Sequence, residues 1–374
     1  MADPVITIYG PDFTELGYLG DPINLTGSLR HNQISSLAVT IPTGHHLAEV
    51  LTTPGNRITV DDGEQIFSGP LRGYLVTGGE EGAITAQFES DFRLLYRLLA
   101  WPVPESPVTN QSARDYDRVT GPVETVLKSI LTRNLARPQW QGAPITVAPD
   151  LRRGPSRTVI NRFHPIAERT LPVVDAAGLG VSVRQVDAGL VVDVYETSTF
   201  PTELVAGETG AITDWEATLD GPTCTDVVLG GQGEGKARTF ISKRDQALEA
   251  EWGDRIETFA DARQTETAQD LQDSATEALA EGAPRAGIRV TLIDTPEFRF
   301  GALGARLGDM VTIRTGSMVR TDRLREVTAS WTPSEGDGGW RLTPVAGEVS
   351  GSVTKTLIRQ IRSLTRRQSQ QSNR

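Results

Sequence analysis

A glycine-rich segment is the part of the sequence whose spacing comes nearest to a chemical motif. Residues 230–236 read Gly-Gly-Gln-Gly-Glu-Gly-Lys, which satisfies the G-x-x-x-x-G-K pattern of phosphate-binding loops. That motif also needs a Ser or Thr hydroxyl for magnesium and a helix N-terminus for the phosphate. Here Ala237 follows the lysine, residues 238–241 have the pattern of a strand, and Glu234 would add negative charge. We therefore predict a hairpin loop and no cofactor site.

The histidines and carboxylates do not form a pattern typical of a catalytic or metal site. His45 and Glu49 could share one helical face as two ligands, but no third ligand follows at a matching spacing. Neither a G-x-S-x-G motif nor a histidine in a triad context occurs. The acidic clusters at residues 61–64, 80–81 and 335–337 lie at predicted hairpin tips, where charge and glycine favour a turn. The sequence predicts no catalytic residue, no metal ligand and no enzymatic activity.

Composition indicates a folded protein with more than one domain. The chain has 374 residues, a length at which two to four domains are expected. Cys224 is the one cysteine, so an internal disulfide or a thiolate metal site within one chain is excluded. The first residues lack a secretory pattern, and no apolar run is long enough for a membrane-spanning helix. We expect a soluble protein made in the cytosol.

The C-terminal segment differs in charge from the rest of the chain. The net charge of −11 predicts repulsion of nucleic acid, whereas residues 349–374 contain six basic side chains and no carboxylate. Apolar residues in this segment recur at spacings of three and four, a short heptad-like stripe with arginines on the other faces. We predict a helix that docks on a partner or a symmetry-related copy; a frayed basic terminus is the alternative. The predicted docking residues are Leu357, Ile361, Leu364, Arg359, Arg362, Arg366 and Arg367.

The first hundred residues have the alternation of antiparallel strands. Apolar and polar residues alternate at 57–61 and 65–68 around an Asp-Asp-Gly-Glu turn, and at 74–77 and 83–88 around Gly-Gly-Glu-Glu-Gly. Period-two alternation bounded by Asp and Gly clusters is the signature of β-hairpins. Residues 1–100 are therefore predicted to form one antiparallel barrel or sandwich.

A small α+β domain is predicted for residues 101–207, beginning at a cluster of three prolines. Helical spacing covers residues 123–131, with Thr120 as the expected N-cap. A shorter helix is expected to begin at Thr170 and to end at Gly178. A hairpin around an Asp-Ala-Gly turn completes this domain.

Strands return in residues 208–347, a region with one predicted helix. Strand patterns flank the glycine-rich loop, and four further strands are expected between residues 288 and 344. The helix is predicted over residues 265–281, where Gly282 and Pro284 end it. We interpret the two β regions as distant copies of one architecture.

Three short segments, taken in their order along the chain, indicate the type of protein. Residues 67–73 read Phe-Ser-Gly-Pro-Leu-Arg-Gly, and residues 91–99 read Asp-Phe-Arg-Leu-Leu-Tyr-Arg-Leu-Leu. Residues 307–309 read Leu-Gly-Asp and lead into a predicted strand. In this order the segments resemble those of the minor tail proteins that form the baseplate or tail-tip hub of long-tailed phages, especially siphophages of GC-rich hosts.

The resemblance implies a mainly β fold with an α+β insertion. Two tube-like antiparallel β-barrel domains, at residues 1–100 and 208–347, would flank the α+β domain at 101–207, with 348–374 as a basic helix or tail. In such hubs, two tube-like domains per chain let a homotrimer cap a sixfold tail tube. The resemblance further implies a place at the tail tip of a virion, made in the host cytoplasm. The implied partners are the distal tail protein ring, the tape-measure protein and other tail-tip proteins, with DNA passing only transiently through the channel.

Two other functions compete with this hub prediction. A receptor- or carbohydrate-binding tail protein would need exposed aromatic platforms, whereas aromatic residues make up 6% of the chain and its tryptophans are scattered. A cell-wall hydrolase would need two carboxylates that converge in a cleft, which no spacing here predicts. Because the chain ends soon after the second β region, the lytic extension of many hub relatives is not expected.

Overall fold

The computed structural model describes residues 3–79, 82–263, 265, 267–301, 304–333 and 339–347. The chain divides into two compact units. The first unit contains the residues up to Asp214 together with Val290–Ala346, and the second contains Trp215–Arg289.

Strands outnumber helices throughout the described residues. The strands are β1 Val5–Tyr9, β2 Glu15–Leu19, β3 Asn24–Arg30, β4 Ser36–Pro42, β5 Arg57–Asp61, β6 Gln65–Thr77, β7 Ala83–Glu89, β8 Leu99–Ala100, β9 Asp117–Pro122, β10 Ile145–Val147, β11 Ser156–Asn161, β12 His164–Pro165, β13 Leu179–Val186, β14 Gly189–Glu196, β15 Leu204–Val205, β16 Ile212–Asp220, β17 Asp226–Gly230, β18 Phe240–Arg244, β19 Glu257–Asp261, β20 Arg285–Leu292, β21 Met310–Thr315, β22 Met318–Trp331 and β23 Arg341–Ala346. The α-helices are α1 Ala48–Thr52, α2 Leu94–Arg97, α3 Val123–Leu135, α4 Ile166–Ala176, α5 Gln246–Trp252 and α6 Ala268–Glu281. Short 3-10 helices lie at Asp91–Arg93, Val108–Asn110, Pro138–Trp140 and Gly235–Ala237.

One large sheet dominates the first unit. Its strands follow the order β20–β23–β22–β3–β4–β7–β6–β5–β1–β2, and β21 pairs with β22 and with the short strand β15. Burial alternates along these strands, so that Leu37, Val39 and Ile41 of β4 face the core while their neighbours are more exposed. Each such side chain contributes about 1.5–3 kcal/mol through burial, which makes this face the main source of the sheet's stability.

The sheet joins strands that are far apart in the sequence. Leu25 of β3 is paired with Trp331 of β22, and Arg30 is paired with Glu326. The prediction of a mainly β fold is confirmed, since strands hold 44% of the residues and helices 20%. Within the described residues, however, none of the sheets closes into a barrel, so the two predicted barrels are not seen. Alternation defines the face that a strand buries but not the strand that it pairs with. The domain boundaries at 100, 207 and 347 stay a prediction.

The α+β region contains the predicted helices and hairpin, but two helix starts were wrong. Thr120 lies in β9, and α3 begins after Pro122. Helix α4 begins at Ile166, so Thr170 is inside it and Pro172 occupies an interior position. Buried side chains along the length of α4 stabilise it through packing, which outweighs the hydrogen bond that a proline removes. Strands β13 and β14 form the predicted antiparallel hairpin.

The second unit contains a three-stranded sheet in the order β18–β17–β19. Helix α6 packs on one face of it, where Val227 and Leu229 are buried together with Leu271 and Ala275 of the helix. Thr267 caps the helix by accepting a hydrogen bond from the Asp270 N–H at 3.0 Å. This capping box, with the predicted stop at Gly282, explains why the helix lies close to its predicted range.

Among the described residues, no helix is both long enough and apolar enough to span a membrane.

Candidate functional site

The predicted docking residues lie outside the part of the chain that the structure describes. They are Leu357, Ile361, Leu364, Arg359, Arg362, Arg366 and Arg367. The predicted hairpin tips at 80–81 and 335–337 also lie outside it. Docking by the C-terminal segment therefore stays a prediction.

The Leu-Gly-Asp segment forms the tight turn that leads into β21. Gly308 has a φ of +100°, and a Cβ at this position would lie 2.4 Å from His31 Nδ1. The Asp309 carboxylate accepts hydrogen bonds from the N–H groups of Ser198, at 2.7 Å, and Arg306, at 2.8 Å. Glycine is therefore required both by the backbone conformation and by the close approach of the imidazole.

His31 lies at the centre of a buried polar cluster behind this turn. Its Nδ1 is 3.1 Å from the Tyr195 hydroxyl, and its Nε2 is 2.9 Å from Asn32 Nδ2 and 3.4 Å from Asp175 Oδ1. Arg323 Nε lies 3.6 Å from the same carboxylate oxygen of Asp175. In the neutral ring, Nε2 can accept the Asn32 amide proton while Nδ1 donates to Tyr195; Nε2 donates a hydrogen bond to Asp175 only when the ring is protonated.

The pKa values of this cluster have shifted in the directions that burial and pairing dictate. Burial lowers the pKa of His31, and the bond to Asp175 offsets this only in part, so the ring is neutral at pH 7. The His31 hydrogen bond and the charges of Arg325 and Arg323 lower the pKa of Asp175 to about 2. Burial raises the pKa of Tyr195 to about 12, so its hydroxyl keeps its proton. The cluster thus has one settled protonation state near neutral pH.

Asn32 connects this cluster to the α+β region. Its Nδ2 donates to the Leu179 carbonyl at 3.0 Å, and its Oδ1 accepts from the Val181 N–H at 2.9 Å. The side-chain amide therefore bonds to β13 as a neighbouring strand would, and it holds the β13–β14 hairpin against the end of β3. Asn32 has a φ of +50°, a conformation that asparagine tolerates better than most residues.

An open groove of about 550 Å³ lies beside the cluster. Its lining includes the apolar parts of Tyr96, Leu171 and Pro172 together with the charged side chains of Arg30 and Arg325. The arginines already have partners, since Arg30 Nε is 3.0 Å from Glu326 and Arg325 Nη1 is 3.6 Å from Asp175. The groove offers a mixed surface for recognition.

A second buried cluster surrounds the Ser-Gly step of β6. Asp91 accepts a hydrogen bond from Ser68 Oγ at 2.7 Å and forms a short ion pair with Arg57. Ser68 Oγ in turn accepts from the Gln185 N–H at 3.1 Å. A Cβ at Gly69 would lie 2.0 Å from the carbonyl oxygen of Glu89, so only glycine fits beside that strand end. The Ser-Gly step therefore fastens the sheet to β13.

A third cluster lies inside the α+β region. The fully buried Glu124 carboxylate is 2.7 Å from Lys128 Nζ and accepts from Arg153 Nε at 2.9 Å. Although burial opposes ionisation, hydrogen bonds from Arg153 and Lys128 hold the pKa of Glu124 well below its usual range. Lys128 also donates to Asp193 at 2.8 Å, which ties α3 to β14.

The three clusters share one property: their charged groups lie next to opposite charges and hydrogen-bond partners. Sequence reasoning missed all of them, because each draws its members from segments far apart in the chain. The available signal was a charged or amide residue at the end of an apolar run, such as Asn32 after β3, Arg57 before Ile58, or Asp91 before Phe92. These hydrogen bonds and ion pairs hold strands and helices against one another, which is a structural role.

The glycine-rich segment forms the predicted hairpin, with β17 before it and β18 after it. Arg238 folds back over Gly230, donating from Nη2 to the Gly230 carbonyl at 2.9 Å and from Nε to the Gly231 carbonyl at 3.1 Å. A Cβ at Gly230 would lie 2.4 Å from Arg238 Nη2. The glycines thus make room for a side chain of the same hairpin.

His45 has a local partner in the structure. Its Nε2 lies 3.0 Å from Asp21 Oδ1, and Glu49 stands in the first turn of α1. In the described ranges, no group of three or more His, Cys, Asp and Glu side chains has an arrangement that could hold a metal ion.

The fold is similar to that of three tail proteins of known structure, two of them from prophages. The tail protein from Neisseria meningitidis MC58 matches with a TM-score of 0.56 and 13% identity, over 93% of this chain and 97% of its own. The 43 kDa tail protein of prophage MuSo2 from Shewanella oneidensis matches with a TM-score of 0.57 and 9% identity, over 93% and 98%. Prophage tail protein gp18 from Listeria monocytogenes EGD-e matches with a TM-score of 0.52 and 11% identity, over 96% and 99%.

A sequence family matches nearly the whole described chain. A comparison with curated proteins found no match. Residues 5–347, however, match the family described as Siphovirus ReqiPepy6 Gp37-like protein. The resemblance to siphophage tail proteins is confirmed by this match and by the shared fold. The chain therefore belongs to the Siphovirus ReqiPepy6 Gp37-like protein family.

Proposed function

We propose that this chain is a structural subunit of the tail-tip or baseplate hub of a phage virion, where it caps the tail tube and anchors other tip proteins. The observation that carries the proposal is the siphovirus family match over residues 5–347. The shared fold supports it, because three tail proteins each align with this chain over more than nine tenths of both lengths.

A structural and non-enzymatic role fits the chemistry of the described residues. Asp175, Asp91 and Glu124 each lie beside a basic side chain, and their ionic bonds connect separate elements. Such paired charges position strands and helices rather than activate a substrate. The groove beside Asp175 is a surface to which a neighbouring tip protein can bind.

We further propose a homotrimer in which sheet edges of neighbouring copies meet. Strand β2 is the last strand at its end of the sheet. Strand β6 pairs with β5 through residues 65–70 and with β7 through residues 71–77, the outer half of β6, which therefore has no pairing with β5. On this outer half Tyr74, Leu75 and Val76 are all more than half exposed. Exposed apolar edges of this kind favour pairing with another chain. Closure of the two β regions into tube-like barrels would then depend on the neighbouring copies.

The proposed position is the tail tip, in contact with the distal tail protein ring and the tape-measure protein. DNA would pass only transiently through the channel, and the net charge of −11 would disfavour its retention.

A density map of the intact particle tests the hub proposal. We expect three copies of the chain at the distal end of the tail tube. Six copies in a ring would contradict the homotrimer. A position at the end of a fibre would instead favour the receptor- or carbohydrate-binding alternative.

The C-terminal docking segment has its own test. Truncation at Val349 should leave the described units folded but impair tip assembly. Leu357→Asp with Leu364→Asp should reproduce that defect while keeping every positive charge. As the matched control, neutralising the arginines of the same segment should have the smaller effect. If only the arginine variants fail to assemble, hydrophobic docking is wrong.

A further inference from the structure

The three-stranded sheet of the second unit has two faces with different surroundings. One face carries Val227 and Leu229, which α6 buries. Register places Phe240 beside Gly230 and Phe259 beside Val228, so both rings project from the opposite face. Phe240 is 57% exposed and Phe259 is 55% exposed. Two large aromatic side chains therefore lie open on a rigid sheet.

Arg238 organises these rings into one surface, called here the aromatic face. Its guanidinium carbon lies 5.5 Å from the Phe240 ring centre and 5.6 Å from that of Phe259. Its Nη2 also donates to Asp261 Oδ1 at 2.7 Å, in addition to the bonds that hold it over Gly230. Aromatic and arginine side chains held in place before binding are typical of binding hot spots, because little ordering remains to be done.

The charge around the aromatic face is negative. On this side of the sheet Asp226 lies between its register partners Glu257 and Arg244, and Asp261 is the register partner of Gly230. With Arg238, the strands and hairpin of this face therefore present three acidic and two basic side chains. Residues 215–289 contain 15 acidic and eight basic side chains. A partner of this face should therefore combine apolar side chains with an excess of positive charge.

We propose that the occupant of the aromatic face is the C-terminal segment of the same chain, residues 348–374. This inference rests on the proposed docking role of that segment but places the receiving surface on the segment's own chain, so docking on a partner or a symmetry-related copy becomes the alternative that the test distinguishes. The segment from residue 349 onward has six basic side chains and no carboxylate, which complements the acidic surroundings. Its apolar stripe, Leu357, Ile361 and Leu364, would lie on Phe240 and Phe259.

The dimensions agree with this docking. In a helix, residues 357 and 364 are separated by about 10 Å along the axis, at a rise of roughly 1.5 Å per residue. The outer strands of a three-stranded sheet are also about 10 Å apart, since neighbours are separated by roughly 4.8 Å. The stripe can therefore span the sheet from β18 to β19.

Photo-crosslinking of the full-length protein tests the assignment. With p-benzoylphenylalanine in place of Phe259, we expect irradiation to join this position to residues 354–366 of the same chain, identified by mass spectrometry. Leu357→Asp with Leu364→Asp should lower the yield at least tenfold. The matched control carries the same probe in place of Tyr74, a similarly exposed aromatic residue of the first unit, and should give no product with the segment.

Three results would overturn the proposal: no product from position 259, an unchanged yield in the double variant, or a product that joins two chains. Hydrogen exchange of the β17–β18 hairpin verifies that the unit carrying the aromatic face is folded in each variant. Because the assay uses the isolated protein, it is independent of the particle map. A chain found at the tail tip without this cross-link would refute only the docking surface, and a cross-linked chain absent from the tip would refute only the hub role.

Discussion

Replacing Asp91 with alanine is expected to destabilise the first unit by about 3–5 kcal/mol, the usual effect of leaving a buried charge without its partner. The Asp91 side chain is 4% exposed and that of Arg57 is 8% exposed, so neither charge is screened by water. This ion pair connects β5 to the segment that leaves β7.

The size of the effect follows from what remains after the substitution. Arg57 would keep its Nε bond to Gln185, at 2.7 Å, and its guanidinium would still lie 4.5 Å from the centre of the Phe13 ring. It would therefore stay buried. Burial lowers the pKa of Arg57 and raises that of Asp91, while each charge offsets this shift in the other. Ser68 would also lose its acceptor.

Urea denaturation should be combined with hydrogen exchange in β5, β6 and β13, because exchange of these amides reports the stability of the first unit separately from that of the second. Asp91→Ala with Arg57→Met should recover most of the lost stability, since apolar side chains often replace a buried ion pair at little cost. Glu105→Ala is the matched control. It breaks an exposed pair with Arg114 and a longer contact, of 3.6 Å, with Arg133, which keeps its pair with Asp117, so the substitution should cost less than about 1 kcal/mol.

Two outcomes would refute this reasoning. The first is a loss of unfolding free energy in Asp91→Ala that is no larger than the loss in the exposed control Glu105→Ala. The second is a loss in the double variant that equals the sum of the losses in Asp91→Ala and Arg57→Met. Either result would mean that the charge left behind finds water or another partner.

Three further predictions concern the turn, the buried histidine cluster and the glycine-rich hairpin. Gly308→Ala should destabilise the first unit by about 1–3 kcal/mol or more, because Gly308 has a φ of +100° and a Cβ there would lie 2.4 Å from His31 Nδ1. The control is Gly316→Ala, where φ is +60° and no atom lies near the added Cβ; it should cost only about 1 kcal/mol in the same urea titration. The pKa of His31 is lowered from 6.5 and that of Asp175 from 3.8 to about 2, so both groups contribute stability at neutral pH that is lost on acidification. Unfolding free energy should fall below pH 6.5 and again between pH 3.8 and 2. His31→Gln should reduce the first decline and Asp175→Asn the second, while His164 and Glu124, whose pKa values are also lowered, keep part of each. A profile unchanged by both substitutions would contradict the assignment. Lys236→Ala should change stability by less than about 0.5 kcal/mol and should not alter ATP binding in calorimetry, whereas ATP binding lost in this variant would establish a nucleotide site.

Local patterns were enough to predict most of the elements. The alternation at 57–61 and 65–68 corresponds to the β5–β6 hairpin, and the Asp-Ala-Gly turn corresponds to the β13–β14 hairpin. Helix α6 lies close to its predicted range because its signals, the Thr267 cap and the Gly282 stop, are local. Such features depend on residues within a few positions of one another.

Helix starts were less predictable. The predicted start at Thr170 would put Pro172 in the first turn of its helix, yet this proline lies well inside α4. Burial of Ile166 and Leu171 extends this helix towards the N-terminus, and that packing involves residues distant in sequence. Tertiary contacts can outweigh a local breaker.

The sequence by itself determined that the chain is mainly β, where its hairpins turn, and that its ordered motifs resemble those of siphophage tail proteins. Only the tertiary structure decided that β3 pairs with β22, which lies about three hundred residues later. It alone brought His31 to Asp175, Arg57 to Gln185 and Arg238 over Gly230. The reason is physical: periodicity encodes which face of an element is buried, whereas the partner of a strand or a charge depends on how the whole chain closes on itself.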